Sequence, residues 1–132
     1  MRALILEDDF DLVAAWRVCL DEVGIETVHV HSALEGWALL GQDAFDIVVA
    51  DIFIRSEEGH PTIDGGILLL GKIRAQIPRA NRPKTIAVSG FMPSKFSGVD
   101  PLVTVKNMDV DSIMRKPFFP EDLRAEVQRL LQ

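Results

Sequence analysis

The sequence predicts a single α/β domain, a doubly wound parallel sheet of five strands with helices on both faces. Three observations carry that expectation. Short apolar runs alternate with helical stripes along the whole chain. Several of the runs close on an acidic or hydroxyl residue, as strands do where they reach the edge of a sheet. No linker, repeat or shift in composition divides the 132 residues, a length that suits one domain with a core of its own.

Ala3-Leu4-Ile5-Leu6 reads as a strand buried on both faces. Val13, Trp16, Leu20 and Val23 follow at helical spacing, and Gly24 stops that helix. Thr27-Val28-His29-Val30 is the second strand. Ser32 caps a helix carrying Leu34, Trp37, Ala38 and Leu40, which Gly41 ends. Phe45 to Asp51 is the third strand, an apolar centre closing on an aspartate. A long loop, 52–64, precedes Gly65-Gly66 and a third helix with Ile67, Leu68, Leu70, Ile73 and Ile77. Pro78 and Pro83 bracket a polar turn before the fourth strand, Thr85 to Ser89. Asp100-Pro101 has the form of a helix start, although Val103-Thr104-Val105 is β-branched and suits a helix poorly. Ser112-Ile113-Met114-Arg115 is the fifth strand. Pro120 opens a last helix with Glu121 and Asp122 in its first turn and a stripe of Leu123, Val127, Leu130 and Leu131.

Composition narrows the function classes. Apolar residues make up 48% of the chain, which argues against disorder. No apolar run reaches the ~20 residues of a membrane span, and the start turns acidic too soon for a signal peptide. The single cysteine, Cys19, excludes an internal disulfide, suits a reducing, cytoplasmic setting and is expected to pack. A net charge of −6 argues against direct nucleic-acid binding.

In open parallel sheets the chemistry lies at the carboxyl ends of the strands. Glu7, Asp8 and Asp9 follow the first strand, Asp51 ends the third, Ser89-Gly90 ends the fourth and Lys116-Pro117 follows the fifth. Crowded carboxylates call for a hard cation, and few protein oxygens suit Mg²⁺. A lysine and a hydroxyl opposite would hold phosphoryl oxygens, and Asp51 would be the nucleophile of a phosphoryl transfer. Each piece alone has an ordinary explanation: Asp8 or Asp9 as a helix cap, Asp51 as a solvated strand end, Ser89-Gly90 as a turn, Lys116-Pro117 as loop punctuation. Their joint placement after strands one, three, four and five is what points to a site.

Leu4-Ile5-Leu6-Glu7-Asp8-Asp9, Asp46 to Asp51, Asp64-Gly65-Gly66, Ser89-Gly90 and Lys116-Pro117-Phe118 together resemble the receiver domain of two-component response regulators, over nearly the whole chain. The resemblance implies the flavodoxin-like (βα)5 receiver fold. It makes Asp51 the phosphoacceptor, charged by a histidine kinase or phosphotransfer protein. Asp8 becomes a direct Mg²⁺ ligand, Glu7 assists through water, and Asp51 and the backbone carbonyl of Phe53 complete the protein's ligands. Ser89 and Lys116 bind phosphoryl oxygens. The protein is then not an enzyme beyond its own phosphorylation and dephosphorylation.

Three positions depart from that family's pattern. The loop after Asp51 is longer and carries Arg55 where a proline is usual. The segment from Ser89 to Lys116 is also longer. Ile113 stands at the aromatic switch position, so readout is not expected to use an aromatic swing; the loop 52–64 and the segment 91–110 are the expected moving parts. Phe53 and Phe91 flank the approach of hydrolytic water, and two phenylalanines there imply a long-lived phosphorylated state. Phe53→Asn with Phe91→Glu is expected to shorten it.

His29 and His31 alternate on the second strand and could begin a metal site, but with no third ligand nearby a solvated edge strand is the expectation. Glu57, Glu58, His60 and Asp64 read as a solvated insertion. Trp16 and Trp37 read as core or near-core. Taken whole, residues 1–132 read as a stand-alone receiver that signals by protein contact through its fourth helix, fifth strand and fifth helix, with no effector domain, nucleic acid or membrane. Whether it forms a homodimer is left open, as are its kinase, signal and target. The alternatives are a Mg²⁺-dependent aspartyl phosphohydrolase, disfavoured because Phe53 replaces the acid such enzymes keep two residues after the nucleophile, and a receiver cut from a hybrid kinase, against which the Met1 start leans.

Overall fold

The computed structural model describes residues 1–52, 54–55, 61–62, 65–90, 105–106 and 108–132. Phe53, Phe91, Glu57, Glu58, His60 and Asp64, for which the sequence raised expectations, lie outside the described residues.

The apolar runs form strands β1 (Arg2–Leu6), β2 (Glu26–Val30), β3 (Ile47–Asp51), β6 (Lys84–Ser89) and β7 (Ser112–Arg115), all parallel, in the order β2-β1-β3-β6-β7. This is the predicted doubly wound sheet. The loop after β3 is not wholly irregular as expected, because β4 (Ile54–Arg55) pairs antiparallel with β5 (Pro61–Thr62), Ile54 opposite Thr62. Two-residue strands are too short to leave a periodic signal.

Alternate residues of the central strands feed two cores. Ala3, Ile5, Ile47, Val49, Ile86 and Val88 face α1 (Phe10–Asp21) and α4 (Pro120–Leu131), where Val13, Trp16, Leu20, Leu123 and Val127 meet them. Leu4, Leu6, Val48, Ala50 and Ala87 face α2 (Ala33–Gln42) and α3 (Gly66–Gln76), meeting Ala33, Leu69, Leu70 and Ile73. Each fully buried Leu or Ile is worth roughly 1.5–3 kcal/mol, which is why both faces hold. Trp16 stacks flat on Phe118, 5.7 Å between ring centroids, tying α1 to the entry of α4.

The expected caps form. Ser32 Oγ accepts from Glu35 N–H at 3.1 Å, and Gly24 ends α1 with φ at +76°. Cys19 is buried as packing, as expected. Some apolar positions differ from the reading. Leu34 is 77% exposed and Leu68 46% exposed, so they lie off the buried stripes of α2 and α3. Trp37 is near-core as expected, half-buried against the α2–α3 core with the Lys72 ammonium 5.6 Å above its ring. Most of the helix expected after Asp100-Pro101 lies outside the described residues, although Val105 and Lys106 are helical and Val105 is buried against the α2–α3 core. Among the described residues, no helix is long and apolar enough to cross a membrane.

Candidate functional site

β1 and β3 lie side by side, with Leu6 paired to Ala50, so Glu7, Asp8 and Asp51 emerge together at the carboxyl edge of the sheet. One carboxylate oxygen from each of the three lies within 4.8 Å of the others. Glu7 is fully buried, Asp51 almost so, and Asp8 half-buried. From β7, which closes the far side of the sheet, Lys116 reaches back. Its Nζ donates to Glu7 Oε2 and to Asp51 Oδ2, each at 2.8 Å. The Lys116 N–H continues the β6–β7 ladder to the Ser89 carbonyl at 2.8 Å, which sets the level of both residues.

Ser89 is buried at the end of β6, and its Oγ donates to the Gly90 carbonyl at 3.3 Å. Gly90 sits against the Lys116 side chain, where a Cβ would lie 3.8 Å from Cδ. Gly66, the first residue of α3, is pressed onto the phosphoacceptor candidate itself: a Cβ there would fall 2.3 Å from the Asp51 carbonyl oxygen.

The acidic run after β1 divides its labour. Asp9 is the α1 cap that sequence alone could not separate from Asp8; its Oδ1 accepts from Leu12 N–H at 3.1 Å. Asp8 joins the carboxylate cluster. The Asp9 N–H donates to Glu7 Oε1 at 3.3 Å. The electrostatics follow from crowding. Burial first, and then the charge of Asp51, push the Glu7 carboxyl up to about 8, against the pull of Lys116. Burial would lower the Lys116 ammonium, but hydrogen bonds to Asp51 and Glu7 outweigh it and hold the group above its ordinary value. A single ammonium therefore serves carboxylates that repel one another. The all-oxygen donor set and its surplus negative charge fit a hard divalent cation such as Mg²⁺.

Glu7, Asp8, Asp51 and Lys116 thus come together at one corner, Ser89 ends the neighbouring strand β6 with its hydroxyl on the Gly90 carbonyl, and Phe53 and Phe91 lie outside the described residues. Ile113 is half-buried against the α2–α3 core. His29 on β2, an edge strand as expected, and His31, one residue past its end, pack with ring centroids 4.6 Å apart. Among the described residues, no group of three metal-ligating side chains includes either. Sequence reasoning missed what His29 does: its Nε2 donates to the Glu7 backbone carbonyl at 2.6 Å. The contact follows from the pairing of β1 with β2, which the spacing of the two histidines does not reveal.

No family model matches the chain. Among curated proteins it is 24% identical over 131 residues to the alginate biosynthesis transcriptional regulatory protein AlgB of Pseudomonas aeruginosa, covering 99% of this chain and 26% of that protein. It is 24% identical over 132 residues to the transcriptional regulatory protein YclJ of Bacillus subtilis, covering all of this chain and 51% of the other. The chain therefore spans about a quarter to a half of the length of these relatives. A CheY-like response regulator receiver domain protein from Methanospirillum hungatei superposes with a TM-score of 0.77 at 25% identity, over 98% of this chain and 92% of that one. The receiver domain of a signal transduction histidine kinase from Syntrophus aciditrophicus gives a TM-score of 0.77 at 21% identity, over 98% and 89%. The sheet order and the carboxyl-edge corner define the CheY-like receiver class. With these likenesses beside them, the chain has the fold of CheY-like response-regulator receiver domains and resembles them in sequence over almost its whole length.

Proposed function

We propose that Asp51 accepts a phosphoryl group from the phosphohistidine of a histidine kinase or phosphotransfer protein, and that the phosphorylated domain signals by contact with another protein. The observation that carries this reading is the Lys116 ammonium, held 2.8 Å from both Glu7 and Asp51 in a corner with a third carboxylate, Asp8.

In the step, the N–P bond of the donor breaks as an O–P bond forms to an Asp51 carboxylate oxygen, and the departing imidazole keeps the electron pair. Lys116 offsets charge on the phosphoryl oxygens, and Ser89, buried at the end of β6, donates its hydroxyl to one of them. Mg²⁺ would supply charge neutralisation when bound, with Asp8, Asp51 and the backbone carbonyl of Phe53 as its ligands and Glu7 assisting through water. The product is a covalent aspartyl phosphate, a signalling state rather than a released product. With Ile113 packed against the core in place of an aromatic ring, readout proceeds without an aromatic swing.

Acetyl phosphate with Mg²⁺ tests the proposal. Intact-mass spectrometry is expected to show one phosphoryl group on the wild-type chain and none on Asp51→Asn, whose amide is no nucleophile. Asp8→Asn is expected to need more Mg²⁺ for the same labelling, because a charged ligand is lost. Undiminished labelling of Asp51→Asn would remove the reading.

A further inference from the structure

The acidic corner is clasped from outside by an aromatic cluster. Glu7 lies one residue past the last paired residue of β1, Leu6, which is opposite Val30. At that point the half-buried His29 imidazole of β2 meets the Glu7 carbonyl at 2.6 Å. A carbonyl only accepts, so Nε2 carries the proton. Two neighbours set the ring. Phe10, the first residue of α1, packs edge-on at 5.5 Å and 81°. His31 packs at 4.6 Å and 67°. Phe10 and His31 also touch, at 5.1 Å. The short segment Glu7-Asp8-Asp9-Phe10 is thereby held at both ends by one histidine, through a hydrogen bond at Glu7 and a ring contact at Phe10. Between those points stands Asp8, and Asp9 is occupied as the cap of α1.

We propose that His29 is a positioning residue for the cation-holding corner: its Nε2–H and its ring fix the Glu7–Phe10 backbone, so that the Glu7 and Asp8 carboxylates are set before a cation arrives. The inference rests on the phosphoacceptor reading of the site. Groups that hold ligands from behind matter because a site loose by a fraction of an ångström loses ordered charge at the ion. The His29 hydrogen bond is to the Glu7 backbone carbonyl, so its effect on the corner runs through Glu7.

The test is a Mg²⁺ titration followed by backbone amide shifts, with labelling by acetyl phosphate and a urea midpoint measured on each variant. His29→Leu keeps bulk on the strand and removes the donor. It is expected to weaken Mg²⁺ binding on the order of 10-fold and to slow labelling while the urea midpoint changes little. His29→Gln places an amide N–H where Nε2 stood and is expected to recover most of the affinity. Phe10→Ala is expected to give a smaller loss in the same direction. Leucine binding as tightly as wild type overturns the proposal. So does a glutamine variant as weak as leucine, since the loss would then follow ring packing alone. Should the leucine variant not fold, Phe10→Ala decides, because Phe10 is 65% exposed and its removal leaves the core intact; unchanged Mg²⁺ affinity overturns the proposal. A wild-type chain that neither binds Mg²⁺ nor labels removes the reading of the site itself, whereas a labelled wild type with an unaffected leucine variant removes only the role of His29.

Discussion

Glu7 shows how one residue can set the pH behaviour of the fold. Its carboxyl is fully buried, and burial with the charge of Asp51 beside it pushes it up to about 8 from an ordinary 4.5. Between those values the folded chain holds a proton that the unfolded chain has released, so stability falls as pH rises across that window. The contribution is complete below the unfolded value and lost as pH passes through the folded one. In chelator, the urea midpoint is expected to fall from about pH 5 to about pH 9, and Glu7→Gln is expected to flatten the part of that slope that belongs to Glu7. A Mg²⁺ ion held at this corner as proposed would reverse the preference, because a cation favours the ionised carboxylate; its affinity is expected to rise over the same window, and to rise less in Glu7→Gln. An affinity independent of pH in the wild type would contradict this account.

Among the elements, α3 bears most directly on the site, because its first turn abuts the end of β3. A Cβ on Gly66 would meet the Asp51 carbonyl oxygen at 2.3 Å, and the obstacle is backbone on both sides. Gly66→Ala is expected to cost roughly 1–3 kcal/mol in chemical denaturation and to lower the labelling rate, as β3 or the helix must shift. In the sequence Gly65-Gly66 marked only the entry to a helix, so that close approach was hidden, whereas alternation made the five parallel strands legible. What the sequence hid was either too short or too distant. β4 and β5 are below any period. Asp8 and Asp9 are chemically alike, and only the direction of the first turn of α1 assigns one to the cluster and the other to the cap. His29 and Glu7 stand 22 residues apart, and their contact follows from strand order, not from spacing. The bonds of Asp111 to Thr85, where a carboxylate accepts from both the backbone N–H at 2.8 Å and the hydroxyl at 3.3 Å, were hidden for the same reason.

For the molecule as a whole, charge and topology make separate statements. The 132 residues carry −6, and that field repels a phosphate backbone. Although the curated relatives are transcriptional regulators, a gel shift at low salt with these residues alone is expected to show no sequence-dependent complex; such a complex would count against signalling by protein contact. Topology speaks through Lys116, which meets Glu7 across 109 positions and Asp51 across 65. Closing loops of that span costs chain entropy that only a largely assembled sheet repays. If Asp51 accepts a phosphoryl group as proposed, a chain whose last strand has not docked would present that aspartate without the ammonium beside it. Unfinished or partly unfolded copies would then stay silent, drawing no phosphoryl groups from the donor, and acceptance of the signal would double as proof that the sheet is complete.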